Sequence, residues 1–379
     1  SMGETIKYLI KKNKTEFLKG CSLLHNNPFN GGTHLPDLTL VTPYLDNKRN
    51  ILFYLANRAH HSDIGGISPG SMPAFSKNIF EEGILINSFI ILDKNKIKEK
   101  EILNLLSNSE YPSRDPLQNL YDIKAQIASC KRGVTEVQRI IKSFGLKTVL
   151  MYSKHVQENS RLAIKRAIEK IPTCKGSTTL DNNSIIKINI YYSKKKNKLV
   201  FDFKGTSSQL VDNFNTPNAI TKSVIIYFLR TLIKESIPLN EGCLQDIEII
   251  IPKKSMLNPT YPAPVVAGNV ETSQSIIDLL NTSTNIQAAC YGTMSNLTFG
   301  DKNFGYYETI CGGEGASKGN HGADAVHCHM TNTSITDVEI LEWNYPVRLN
   351  RFLIRPNSGG SGQWKGGNGT IREIVFLKN

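Results

Sequence analysis

Residues 31–73, GGTHLPDLTLVTPYLDNKRNILFYLANRAHHSDIGGISPGSMP, decide how the rest of the chain is read. Two polar clusters, GGTHLPD (31–37) and NRAHHSDIGG (57–66), are joined by an apolar run and closed by PGSMP (69–73). Three of the chain's eight histidines fall here, each within three residues of an aspartate. Pro36 removes a backbone donor and disfavours helix at Leu35, so His34 and Asp37 must converge through a loop. Histidine and carboxylate brought together on loops at the end of a strand read as a metal or acid/base site.

Working outward, residues 38–42 and 51–59 are strand-like runs with a turn at 46–50. Both faces of the second run are apolar, which predicts a buried strand. His60 and His61 follow at its end, where neighbouring positions point to opposite faces, so only one of them need face the site. Gly65, Gly66 and Gly70 allow close backbone approach. Glu81 and Glu82 fall on a helix ending at Gly83; they are reserve ligands or bases, with surface carboxylates the plainer reading.

Residues 4–19 have amphipathic helical spacing. From Leu120 to Phe144 apolar residues recur in steps of three and four up to Gly145, and a second helix through Val149, Val156, Ala163 and Ala167 ends before Pro172. These two are expected as an antiparallel pair. Beyond 176 the period changes to two, at 186–192 and 199–203, with SKKKNK (193–198) as a turn. A helix at 223–234 and a strand at 247–251 follow. The fold class is therefore mixed α/β (α+β) and multi-layer, with a helical pair inserted between β-rich portions. Three portions are expected: 1–100 carrying the polar loops, 101–175 helical, and 176–379 β-rich.

The last third carries AGNVETSQ (267–274), GTMSNLTFG (292–300), YYETICGGEGA (306–316) and HGADAVHCHMTNT (321–333). Thr272 or Ser273 is expected to cap the helix through Ile276 and Leu280. His327 and His329 would share a face of a strand, as a metal pair or as core hydrogen-bonding groups. A terminal strand is expected at 372–377.

The formal net charge of +12 is dispersed as lysine along the chain, which marks a solvated surface and argues against nucleic-acid binding. Seven scattered cysteines with no CxxC pair argue for a reducing compartment, and against a disulfide framework or a structural zinc site. No apolar run approaches the roughly 18 residues of a membrane span, and the first residues lack a signal-peptide core. The expected location is cytoplasmic.

ANRAHHSDIGGISPGSMP, with GGTHLPDLTLVTP, AGNVETSQ, YYETI and HMTNT, closely resembles the hydantoinase B family, across the whole chain. This is the subunit or domain shared by ATP-dependent 5-oxoprolinases, N-methylhydantoinases, and acetone and acetophenone carboxylases; the oxoprolinase and hydantoinase branch is the nearer. The resemblance implies opening of a small cyclic amide, driven by ATP on a partner hydantoinase A subunit or domain, in a hetero-oligomer. The absence of a GxxxxGK[ST] motif agrees with a nucleotide held elsewhere. Carboxylase relatives hold a divalent metal through a carboxylate, an HxxD pair and a further histidine. Carried over, these are His34, Asp37 and His60, with His61 as substitute for the last. The remaining carboxylate would lie before residue 1, so the chain is expected to be truncated at both ends.

Phosphorylation of the lactam oxygen would make an imidate-like electrophile, and a metal on His34, Asp37 and His60 would supply hydroxide at neutral pH. His/Asp ligands suit zinc, manganese or iron. His61 and Asp63 are the expected catalytic pair, with Asp63 as orienter or base. Asn269, Glu271, Gln274, Glu308, Asp324, His327 and His329 are expected to line the substrate cavity or to brace loops. A carboxylase-type subunit and a truncated, non-catalytic interaction remnant are the alternative readings.

Overall fold

The computed structural model describes residues 2–302, 304–331 and 333–377. Two helices, α1 (Met2–Lys12) and α2 (Lys14–Leu18), precede β1 (Ser22–His25), β2 (Asp37–Leu45) and β3 (Ile51–His60). With β4 (Phe89–Asp93) and β5 (Lys96–Ile97) the strands form an antiparallel sheet in the order β3-β2-β1-β4-β5. One face buries Leu23 and Val41 against Leu9 and Phe17 of the first two helices. The other buries Leu24, Leu38, Leu40 and Ile91 against α3 (Glu99–Ser107) and α4 (Pro116–Phe144). Helices on both faces explain why β3 is apolar on both sides. It is nevertheless the edge strand and is half-buried along its length, not the fully buried strand that its composition predicts.

Pro116 opens α4, and the Asp115 side chain accepts from the Gln118 amide, satisfying one orphan donor of the first turn. Gly145, at φ 77°, is the sole residue between α4 and α5 (Leu146–Ile168). The two helices bury different stretches in different cores. Leu120, Ile123 and Ile127 join the first core, whereas Ile164 and Ile168 join the second.

That second core lies on the sheet β6 (Cys174–Thr179), β7 (Ile185–Ser193), β8 (Lys198–Asp202) and, after α6 (Asn218–Thr231), β9 (Ile247–Ile250). Ile186, Ile188 and Ile190 alternate inward on β7, as period-two reasoning requires, and meet Phe228 of α6 and Ile276 and Leu280 of α7 (Ser273–Ser283). α6 begins five residues earlier than the sequence predicts, directly after Pro217. Neither Thr272 nor Ser273 caps α7. The π-helical turn Gly268–Thr272 runs straight into it, and the two hydroxyls instead bond Phe214 O and Asn269 O.

Two ribbons complete the chain: β10 (Asn296–Gly300) with β11 (Gly305–Thr309), and, beyond α8 (Val338–Asn344), β12 (Val347–Ile354) with β13 (Thr370–Phe376). Glu82 joins the halves of the molecule. It is 1% exposed rather than a surface carboxylate, and its Oε1 accepts from Ser76 Oγ at 2.7 Å and from the amides of Val265 and Val266 at 2.8 and 3.1 Å. Asn213 adds bonds to Pro73 O and Ala74 O, and Lys222 an ion pair to Glu4.

Candidate functional site

The loop before β2 is placed by backbone contacts that tolerate no side chain at Gly31. Its φ is 91°, and a Cβ there would lie 2.6 Å from the Glu4 carbonyl carbon. From below, the Asn26 side-chain amide donates to Leu35 O and Ile84 O, and the His61 amide donates to Pro36 O. The β2–β3 register sets Asp37 opposite His60. Loop and register together bring His34, Asp37 and His60 into one neighbourhood. The His34 and His60 ring centroids are 5.1 Å apart, and His34 Nδ1 lies 3.8 Å from Asp37 Oδ2.

His34 is 3% exposed, yet neither ring nitrogen has a hydrogen-bond partner among the described residues, although the Asn269 amide lies alongside. An unsatisfied buried polar group costs about 1–3 kcal/mol, a cost that a group meeting these nitrogens would relieve. Burial lowers its pKa. Burial, reinforced by His34, pushes His60 down to about 4 against the opposing pull of Asp37. Both rings are therefore neutral at pH 7, with lone pairs available. Burial works against the Asp37 carboxylate, but His34, His60, Arg58 and the Thr33 hydroxyl outweigh it and hold its pKa low. His60 is surrounded by protein while keeping an exposed face, so it lines a recess open to solvent.

The rim of this recess includes residues that spacing did not single out. Tyr307 of β11 stacks on His60 with centroids 5.4 Å apart, and its hydroxyl donates to Asn296 Oδ1 at 2.7 Å. Asn296 and Thr293 in turn donate to Glu271 Oε1, at 3.3 and 2.7 Å. Burial raises the pKa of both Tyr307 and Glu271. Beside Asp37, Arg58 donates to the hydroxyls of Thr39 and Thr5. Alternation in YYETI signals that Tyr306 and Tyr307 face opposite ways; only the tertiary fold says which of them meets a histidine.

His61 points to the other side of β3. It is 0% exposed and packs on α4, with Nδ1 3.0 Å from Asn119 Nδ2 and 4.0 Å from Asp122 Oδ2; burial lowers its pKa. Asp63 accepts four hydrogen bonds, from the amides of Gly65, Gly70 and Arg114 and from Arg114 Nη1, and none comes from a histidine. It braces the glycine loop.

Among the seven residues expected in the cavity, Asn269 and Glu271 reach the recess. Gln274 is consumed by bonds to Cys328 O, the Thr331 hydroxyl and the Met330 amide. Glu308 is buried in an ion pair with Arg372 and accepts from Tyr306. Asp324 is exposed and holds the Asn368 backbone and side chain. His327 and His329 are not on a strand: residues 327–329 are irregular, and His329 has a left-handed φ of 55°. His327 lies near Glu308, while His329 contacts Cys290 and Tyr227. Asn332 of HMTNT lies outside the described residues.

The family model described as Hydantoinase B/oxoprolinase matches residues 1–379. The chain is 42% identical to 5-oxoprolinase 1 of Arabidopsis thaliana over 405 residues, covering 100% of the chain and 32% of that protein. It is likewise 42% identical to 5-oxoprolinase of Dictyostelium discoideum, covering 30% of it. The chain thus spans about a third of the length of these relatives. The crystal structure of ATP-dependent caprolactamase from Pseudomonas jessenii shares the fold, with a TM-score of 0.86 at 21% identity over 99% of this chain and 68% of that one. No helix among the described residues is long and apolar enough to cross a membrane.

Proposed function

The chain belongs to the hydantoinase B/oxoprolinase family, and on that premise we propose that it is the ring-opening portion of an ATP-dependent cyclic amidase acting on 5-oxoproline or a hydantoin. The observation that carries this reading is the buried His34 imidazole, 3.8 Å from Asp37 and with its ring centroid 5.1 Å from that of His60, beside a recess open to solvent. Two neutral imidazoles and a carboxylate are a donor set for zinc, manganese or iron. His34, Asp37 and His60 would hold the ion together with the further carboxylate that the family pattern implies. When bound, the ion would supply Lewis-acid polarisation and lower the pKa of water.

The chain's own groups have separate tasks. Tyr307, stacked on His60 and tethered through Asn296, fixes the orientation of that ring. Arg58 and Thr33 keep Asp37 ionised. Glu271, with a pKa raised by burial, suits delivery of a proton to the departing ring nitrogen, since a lactam nitrogen leaves poorly as an anion. Asn269 serves the ring amide as a hydrogen-bonding partner. Activation of the lactam oxygen by phosphorylation falls to a hydantoinase A-type partner that carries ATP, in a hetero-oligomeric assembly.

The test combines the chain with such a partner, ATP and 5-oxoproline. The expected result is glutamate release with ATP consumption, and one divalent ion per chain fewer in His34→Ala than in wild type. Ketone-dependent bicarbonate incorporation without ring opening would replace this reading by carboxylation. The same ion content in wild type and His34→Ala, with no turnover, would identify an interaction remnant.

A further inference from the structure

The absence of a CxxC pair argues against cysteine-based metal binding, yet the fold assembles a mixed donor set from three separate segments. Asp278 comes from a partly buried position on α7, Cys290 from the loop that follows it, and His329 from the HCHMTNT segment. Cys290 Sγ is 2.9 Å from His329 Nε2, and that nitrogen is 3.6 Å from Asp278 Oδ1. All three donor atoms lie within 4.8 Å of one another.

The geometry points to a second metal site at Asp278, Cys290 and His329, selective for a thiophilic divalent cation of the zinc class. One thiolate, one imidazole and one carboxylate exclude magnesium and calcium as natural occupants, because those ions take oxygen ligands. The site is separate from the recess formed by His34, Asp37 and His60, and stands or falls independently of the function proposed there.

Each donor is held by groups around it. The other ring nitrogen of His329 is 3.3 Å from the Tyr227 hydroxyl, an outer contact of the kind that fixes the tautomer of a metal-bound imidazole. The Cys290 amide donates to Asp278 Oδ1 at 3.0 Å, so the carboxylate and the thiol are tied by one backbone bond. Gln274 bonds Cys328 O, the Met330 amide and the Thr331 hydroxyl, on both sides of His329 in the chain, which keeps His329 in a left-handed conformation that a non-glycine residue rarely adopts. The Gly315 amide donates to Cys290 Sγ at 3.2 Å.

Tetrahedral coordination at usual Zn–S and Zn–N lengths places sulfur and nitrogen roughly 3.5 Å apart. The pair therefore opens by about 0.6 Å when an ion enters. Cys290 also lines a cavity of about 670 Å³ with Ala289, Thr293, Glu314 and Arg355. The Cys328 thiol also contacts that of Cys290, so the fourth coordination position falls to Cys328 or to water from the cavity.

The experiment uses the full chain after chelator treatment, titrated with Co(II) and Zn(II). The His34→Ala background removes the first site. Co(II) is expected to bind it once, with a thiolate-to-cobalt charge-transfer band, and Cys290→Ser is expected to abolish the band and weaken binding at least tenfold. Without any substitution at this site, Zn(II) is expected to protect Cys290 from iodoacetamide, read by peptide mass, and a chelator to restore labelling. Co(II) binding with no thiolate band, a band retained in Cys290→Ser, or Cys290 labelling indifferent to Zn(II) would each overturn the assignment.

Discussion

His60 lies directly across the β2–β3 pair from Asp37, at the last rung of the ladder that begins with Leu45 and Ile51. A donor from the first polar cluster and one from the second are therefore set by strand register, while His34 is delivered by the loop before β2. A one-residue slip would exchange His60 for Ala59 or His61 and turn the imidazole to the opposite face.

Tyr307 holds the free side of His60. Replacing Tyr307 with Ala should weaken divalent-ion affinity by roughly 10- to 100-fold, the range seen when groups that orient metal ligands are lost. Tyr307→Phe keeps the stacking and should retain most of that affinity. Metal titration by competition with a chromophoric chelator separates the two.

His61 and Asp63 should behave as structural residues. His61→Ala leaves part of the Asn119 network unpaired, and Asp63→Ala strands four donors; each should cost about 1–3 kcal/mol or more of stability. Urea unfolding is expected to register the loss, while metal stoichiometry in both variants stays at the wild-type value.

Glu82 predicts a pH dependence. Burial raises its pKa from 4.5 to about 8, so the folded state keeps a proton that the unfolded chain releases near 4.5. The resulting stability is fully present below the unfolded pKa and is lost progressively as pH rises through about 8. Its upper bound is roughly 4–5 kcal/mol. Thermal unfolding from pH 5 to 9 should slope downward more steeply in wild type than in Glu82→Gln, whose amide carries no charge to bury.

Arg372 and Glu308 form an ion pair in which both side chains are essentially inaccessible, at 0% and 1% exposure. Arg372→Ala leaves a buried carboxylate without its partner and should destabilise by about 3–5 kcal/mol. The double change Arg372→Met with Glu308→Met should recover much of that loss. Chemical denaturation of the single and double variants measures the difference.

Alternation and helical spacing made β7, α4 and α5 legible, because each buries one face and the period records it. HxxD was legible because Pro36 forces a loop. The roles of His61 and Asp63 were not, since adjacency in sequence does not say which side of β3 a ring takes or how many backbone amides a carboxylate meets. Tyr307, Asn296 and the Asp278–Cys290–His329 cluster are products of tertiary approach between segments far apart in sequence. The misplaced start of α6 has a local cause: Pro217 permits a helix to begin immediately after it. The left-handed φ of His329 instead reflects the grip of Gln274 on the segment.

Gly145 has nothing within 4 Å of where a Cβ would stand, and it separates a helix anchored in one core from a helix anchored in the other. Each half of the chain keeps its own sheet and, apart from Val265, which enters the first core, its own apolar interior, while Glu82, Asn213 and Lys222 supply contacts that need no peptide bond between the halves. The molecule is thus laid out for fragment complementation. Two polypeptides divided at Gly145 should reassociate into one particle, with His34, Asp37 and His60 on one piece and Tyr307, Asn269 and Glu271 on the other.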